Sequence, residues 1–434
     1  MQLFEDFEQI SALELDIKKT IFIPLWRVSS MTSVKNLIKE VCPRWGEIGI
    51  ESCAKYLGFF VGPGTCNKSW EKPLIKYQKR VETWSSMHLG LSFNIVAYKT
   101  YIATALSFIM QLEQDPPDLM DYFDSALRKL AAGPGTWVSR ADLCNLSSKY
   151  FFVSEFCDPR WTSLAAKLRV IQTVASDCDD YRRTLENLPV QHGVALGPFP
   201  QWHQRCHFKI LSDCKKLLQS NGVSLQSVTK DCANGEGSSF QHTAEIAIKL
   251  AMAEPYFRES RIRSKCFQWK FLILPGHQER RVCSRLKLIS QMLPPRIWSV
   301  FFRALWNGWV NYDRMKRLLP KRPCLLGCGY PDDSLIHYLG CSVYWNFLHT
   351  SRPSGLGLQN VERCRDNALL VSDRLRDDDV ARLGIGLYAM YRTINHLRFN
   401  AKEGESYNCL KLMQLFSRKA VENHRSQYLL KPEL

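Results

Sequence analysis

The sequence predicts a mainly α-helical protein with a small α+β piece at its N-terminus and a compact, ligand-clasped segment toward its C-terminus. Three observations carry this reading. Runs of β-forming residues are confined to positions before 66, whereas long stretches beyond them repeat apolar residues at helical spacing. Residues 324–341 then place three cysteines and one histidine in the pattern C-x3-C-x8-H-x3-C.

In chain order, Leu3 to Leu13 reads as an amphipathic helix, followed by an extended run from Thr20 to Trp26 and a second from Tyr56 to Val61 that ends at the turn Gly62, Pro63, Gly64. Trp70 to His88 and Ser92 to Glu113 carry helical stripes, the first through Leu74, Tyr77, Val81 and Trp84, the second through Ile95, Tyr98, Ile102, Leu106 and Ile109. Pro116 and Pro117 break the pattern, Asp118 caps the next helix through Ala132, and Gly133 to Gly135 ends it. Residues 144–188 hold further helical patterning, and His192 to Pro200 is the clearest linker. His203, Cys206, His207 and Cys214 lie close in sequence, but nothing nearby organises a fourth ligand, so they read as packed thiols and surface histidines of a helix. Asn221 to Gly237 is a polar loop ahead of a helical run starting at Ala244. Beyond the Cys/His segment, Trp345 and Phe347 form an apolar shoulder, 351–358 is a loop, and Asp377 to Asp379 cap a long helix through Leu387, Tyr391 and Leu397. The expected units are 1–68, α+β; 69–190, helical; 201–320, a helical connector; 321–350, the Cys/His segment; and 351–434, helical.

The Cys/His segment has the chemistry of a closed metal site. A zinc ion takes four thiolate or imidazole ligands in a tetrahedron, and Cys324, Cys328, His337 and Cys341 form two short-spaced pairs joined by a loop. Gly327 and Gly329 flank the second thiol, where the backbone must turn sharply. Pro331 to Ser334 reads as a turn running into an N-cap for a short helix that presents His337 and Cys341 one turn apart. Four protein ligands imply a structural zinc knuckle with no open coordination position. The alternative is that the thiols pack as small hydrophobes.

The chain of 434 residues is long for one core, and at ~150 residues per domain it suggests two to four units. With 45% hydrophobic and 12% aromatic residues it is globular. Its 16 cysteines are otherwise scattered singly in a chain far larger than disulfide-dependent scaffolds. The first turns carry Glu5, Asp6, Glu8 and Glu14, unlike a signal peptide, and the apolar stretch Tyr101 to Leu112 is too short to span a bilayer. A reducing compartment, nucleus or cytoplasm, is expected, with no secretion and no membrane partner.

Net charge is +16, and residues 258–322 hold sixteen Lys or Arg against three acids. Arg261, Arg263, Lys265, Arg280, Arg281, Arg285, Lys287, Arg314, Lys316, Arg317, Lys321 and Arg322 are interleaved with Phe267, Trp269, Trp298, Phe301, Phe302, Trp306 and Trp309. Cations for phosphates beside planar rings for bases suit a nucleic-acid surface. Taken alone, the aromatics read better as helix-packing core.

A family resemblance emerges from these parts. Phe7 to Thr20 resembles the helix-to-strand segment that follows the catalytic turn in reverse transcriptases of non-LTR (LINE-type) retrotransposons, commonly S-G-L-x-L-N-x-x-K-T, and departs from it at Ala12 and Asp16. Lys55, Tyr56, Leu57 and Gly58 match the K-Y-L-G stretch of the same palm domains. The helices that follow resemble the thumb, and the basic helices, Cys/His cluster and closing helix resemble the zinc-binding C-terminal region of these enzymes. The likeness covers most of the chain and is weak between about 140 and 260.

The resemblance implies RNA, RNA–DNA hybrid and DNA duplex as partners, with Lys76, Lys79, Arg80 and Lys99 facing the duplex, and an upstream palm and fingers polypeptide as a further partner. Structural Zn2+ is implied for this chain and Mg2+ only for an intact parent enzyme. Nucleotidyl transfer needs paired carboxylates on two metal ions. The acidic pairs here are Asp179-Asp180, Asp332-Asp333 and Asp377 to Asp379, none between two β-runs, so this chain is expected not to polymerise alone. Lys19 matches a family lysine that assists pyrophosphate departure only beside that metal site. Two rival readings are a free-standing zinc-dependent RNA-binding protein and a non-enzymatic interaction protein whose basic face serves solubility. No G-x-S-x-G, H-E-x-x-H or P-loop pattern is present.

Overall fold

The structure is a computed structural model that describes residues 2–12, 16–24, 30–64, 67–177, 240–251, 257–269, 277–350, 355–370, 372, 375–400 and 407–427. The linker at 192–200, the polar loop at 221–237, Asp179-Asp180 and the His203/Cys214 region lie outside them. Over the described residues the protein is mainly α-helical with two small two-stranded sheets near the N-terminus, as the sequence predicts. Two compact units divide the chain: Met1–Lys79 with Ala103–Asp121 and Asp158–Ala253, and Arg80–Ile102 with Tyr122–Cys157 and Glu254–Leu434. Among the described residues no helix is long and apolar enough to cross a membrane.

In the first unit, helix Gln2–Ser11 precedes a parallel strand pair, Ile21–Phe22 with Gly49–Ile50, connected through helix Met31–Val41. Ser30 caps that helix by accepting from the Ser33 backbone N–H at 3.4 Å. The run from Tyr56 to Val61 departs from the sequence expectation of one strand. It is the turn and second arm of a hairpin, Ala54–Tyr56 antiparallel to Phe59–Val61, with Tyr56 opposite Phe59. Leu57 and Gly58 take φ of 46° and 100°, the positive pair that a two-residue type I′ turn requires, and glycine at one of the two positions makes it affordable.

Helix Lys68–Ser86 follows and buries Trp70, Leu74 and Tyr77 on one stripe. Buried polar groups around its start are matched: Ser69 donates to Glu113 at 3.1 Å and accepts from the Phe60 N–H at 2.8 Å, and the Trp70 indole donates to the Gln114 carbonyl at 2.9 Å. Helices Pro159–Asp177 and Phe240–Ala251 pack together in this unit, with Lys167 and Ser163 both bonded to Asp115.

In the second unit, the stretch expected as one helix from Ser92 starts as helix Leu91–Ala97 and widens into a π turn at Tyr98–Ile102. Tyr98 goes inward against Phe123 and Phe156, while Tyr101 stacks on Trp84 near the surface. Helices His277–Met292 and Pro295–Leu305 pack against Asp377–Phe399, which also carries Cys409–Gln427, and Pro295–Leu305 brings its rings into an aromatic core. Trp269, Trp298, Phe301, Phe302, Trp306 and Trp309 are all within 4% of full burial, so these rings of the basic segment are core, and Phe267 alone of the set is exposed. Phe302 and Trp306 stack at 4.1 Å, and Tyr150 meets Trp306 edge-on at 5.0 Å.

A buried carboxylate organises that core. Asp142 accepts from the Arg261 guanidinium through both oxygens, at 2.6 and 3.1 Å, from the Tyr150 hydroxyl at 2.9 Å, from Ser139 and from the Trp306 indole. Burial pushes this carboxyl upward, but the Arg261, Ser139 and Tyr150 contacts outweigh it and hold the pKa below the ordinary aspartate value. A lowered folded pKa contributes stability above the unfolded pKa of about 3.9 and loses it as pH falls through the folded value. Asp142→Ala, which strands Arg261, is expected to lower unfolding free energy by about 3 kcal/mol, read as a shifted urea midpoint at constant slope. The wild type should show a loss of stability below pH ~3.9 that the variant lacks.

Candidate metal centre and basic surface

The residues between 324 and 341 fold as the spacing requires. Gly327 and Gly329 take φ of 79° and 81°, turning the chain around Cys328. The Gly327 N–H bonds back to the Cys324 carbonyl at 3.0 Å, and the Cys324 N–H bonds to the Tyr330 carbonyl at 2.8 Å. Ser334 is the N-cap of helix Leu335–Gly340, its hydroxyl accepting from the His337 N–H at 3.3 Å, and Cys341 closes the helix at its C-cap.

The four sequence-expected ligands come together. The Sγ atoms of Cys324, Cys328 and Cys341 and a ring nitrogen of His337 all lie within 4.8 Å of one another. Cys324 and Cys341 Sγ are 3.9 Å apart, and Cys328 Sγ is 3.1 Å from His337 Nε2. Bonds of ~2.3 Å to sulfur and ~2.0 Å to nitrogen set tetrahedral edges of about 3.5–3.8 Å, so the observed separations bracket those of a bound zinc ion. Cys324 and Cys341 are buried and Cys328 and His337 half-buried. Among the described residues this is the one convergence of three or more such side chains.

Hydrogen bonding from Cys324, with the Tyr344 and Val343 backbone N–H groups, lowers the Cys341 thiol despite burial, while the shared bond and burial push Cys324 up. A thiolate held by amides at the start of helix Ser342–His349 is a ready ligand for a divalent cation.

Two residues without a recognisable sequence signal hold this segment in place. Asp333, buried at 2% exposure, accepts from the Tyr338 hydroxyl at 2.7 Å, from the Tyr312 N–H at 2.9 Å and from Arg398 at 2.6 and 2.7 Å. Arg398 sits near the end of helix Asp377–Phe399 and also donates to the Val310 carbonyl. The Tyr338 hydroxyl accepts from the Leu325 N–H at 3.3 Å, and the Cys409 thiol lies 3.6 Å from the Leu325 carbonyl. Asp333 reads in sequence as a turn residue, and Arg398 as an ordinary helix charge 65 residues away.

The candidate cations divide by what they touch. Arg261 serves Asp142, Arg263 pairs with buried Glu279, and Arg285 donates to the carbonyls of Leu370, Ser372 and Leu375. Lys265 is buried, and burial lowers its pKa. Arg314 donates to the Pro134 carbonyl, Lys316 pairs with Asp313, and Arg80 donates to the Tyr101 carbonyl. Lys79 and Arg280 are exposed and Arg281 half-buried. Lys76, Lys99, Lys287, Arg317, Lys321 and Arg322 are exposed, with no hydrogen-bond or ionic partner among the described residues. The last three of these lie within seven residues ahead of Cys324. Of the acidic pairs, Asp333 is spent on Arg398, and Asp379 pairs with Arg376 at 3.1 Å.

No protein-family model, curated protein or solved structure matches this chain.

Cys324→Ser is expected to remove one equivalent of bound metal, measured by elemental analysis of the purified protein. Stoichiometric metal in that variant would refute the ligand set. Arg398→Ala leaves Asp333 buried and unpaired and should cost about 3–5 kcal/mol of stability, with metal affinity falling alongside because clasp folding and binding are linked.

Proposed function

We propose that this chain is a zinc-clasped, nucleic-acid-binding polypeptide corresponding to the C-terminal portion of a non-LTR retrotransposon reverse transcriptase: palm edge, thumb, basic connector and zinc-binding segment. The observation that carries the reading is the closed Cys3His set following Arg317, Lys321 and Arg322, three exposed cations with no partner among the described residues. Three thiolates and an imidazole suit Zn2+, which when bound clamps the loop and helix of this segment together.

The proposed ligands are RNA and RNA–DNA or DNA duplex, held chiefly through phosphates. Lys76, Lys79 and Arg80 lie on helix Lys68–Ser86, where a thumb would face a duplex, and Lys99 lies on the π turn. An upstream palm and fingers polypeptide would supply the catalytic carboxylates. Support for such a partner comes from helices Gln2–Ser11 and Met31–Val41, which leave Leu3, Phe7, Ile10, Leu37 and Val41 exposed, the second of them packed on a parallel strand pair. Parallel strands ordinarily need both faces covered. Binding is the activity proposed for this chain.

Replacing Arg317, Lys321 and Arg322 together with Gln should weaken binding to unrelated RNA sequences by similar factors, because phosphate contacts carry no base information. Each lost contact should also flatten the dependence of log affinity on log salt by about 0.7–0.9. A flat salt dependence in the wild type would instead support the interaction-protein reading. Steep salt dependence without any effect of an added palm and fingers polypeptide would favour a free-standing RNA-binding protein.

A further inference from the structure

Tyr330 is the one aromatic side chain of the metal-binding loop that stays at the surface. Its ring lies flat on the His337 imidazole, with centroids 4.1 Å apart and planes 1° from parallel, yet 46% of the residue is exposed. One face is therefore braced by a side chain of the candidate metal-ligand set, while nearly half of the residue's surface stays accessible. The backbone is equally fixed: Gly329 precedes it at φ 81°, Pro331 follows it, and its carbonyl accepts from the Cys324 N–H at 2.8 Å. That last bond brings the Arg322 backbone, two residues ahead of Cys324, to within about 7 Å of the bonded pair. Arg322 and Lys321 are exposed there without partners among the described residues.

We propose that the outer face of Tyr330 is a stacking platform for one unpaired nucleobase, with Arg322 and Lys321 holding the flanking phosphates, so that this segment takes single-stranded nucleic acid. The inference rests on the nucleic-acid reading above and narrows it. A base inside a duplex is already stacked on both faces and cannot use the platform, whereas an unpaired base has a free face. The ring needs no reordering on binding, because the imidazole and the flanking glycine and proline already hold it.

Single-stranded RNA and DNA oligonucleotides, the same strands carrying one abasic residue at successive positions, and a duplex of equal length should be titrated against full-length metal-loaded protein over a range of salt. Tyr330→Ala that keeps its zinc should bind the single strands about 5- to 100-fold more weakly, with an unchanged salt slope and unchanged duplex binding. Tyr330→Phe should bind as the wild type. Arg322→Gln and Lys321→Gln should instead lower the slope. If Tyr330→Ala sheds its metal, the abasic series on the unaltered protein reads the same contact, and a similar loss is expected at one position. Wild-type binding that is insensitive to every abasic substitution, or a zinc-loaded Tyr330→Ala that binds single strands normally, overturns the platform while leaving phosphate binding intact. A wild type that binds none of the oligonucleotides at low salt overturns the nucleic-acid reading itself.

Discussion

The Cys3His segment depends on a charge that has been taken out of water. Asp333 and Arg398 are both nearly inaccessible, and removing either would leave the other as an uncompensated buried charge. Their bidentate contact, with the Tyr338 hydroxyl and the Tyr312 amide completing the carboxylate's shell, joins the loop carrying Cys324 and Cys328 to a long helix over sixty residues later in the chain. The metal ligands supply local closure. The buried pair decides where the closed segment is seated.

Asp142 plays the same part in the aromatic core of that unit. A ring-rich interior has few acceptors, and the Tyr150 hydroxyl, the Trp306 indole and the Arg261 guanidinium all converge on this one carboxylate. The consequence reaches the basic segment. Composition there points to a single cationic, aromatic face, but packing separates it into rings that fill the core, arginines that serve buried carboxylates or carbonyls, and a smaller exposed set. Net charge overstates the cationic surface because a cation satisfied by a neighbouring carboxylate is already neutralised.

Much of the candidate site was legible in sequence because it is local. Two glycines, a serine cap and four ligands within eighteen residues specify a turn, a short helix and a cluster, and each lands where short-range rules place it. The helical and strand-bearing regions were legible for the same reason. The Tyr56 to Val61 run was misjudged because hydrophobicity continues through the turn, and the positive-φ pair at Leu57 and Gly58 leaves only one glycine as a clue. The helix expected from Ser92 onward widens at Tyr98 to Ile102, where Tyr98 is drawn into the core and Tyr101 stacks on Trp84, a demand no periodicity reports.

By itself, the sequence determined the fold class, the closed Cys3His set and the concentration of positive charge ahead of it, since all three follow from spacing and composition along a short length of chain. Only the tertiary structure decided which cations stay available, that Asp333 is a brace held by Arg398, and that Tyr330 lies flat on His337 while nearly half exposed. Those outcomes turn on burial and on partners distant in sequence, and the free energy of a charged or aromatic side chain is set by what surrounds it in space.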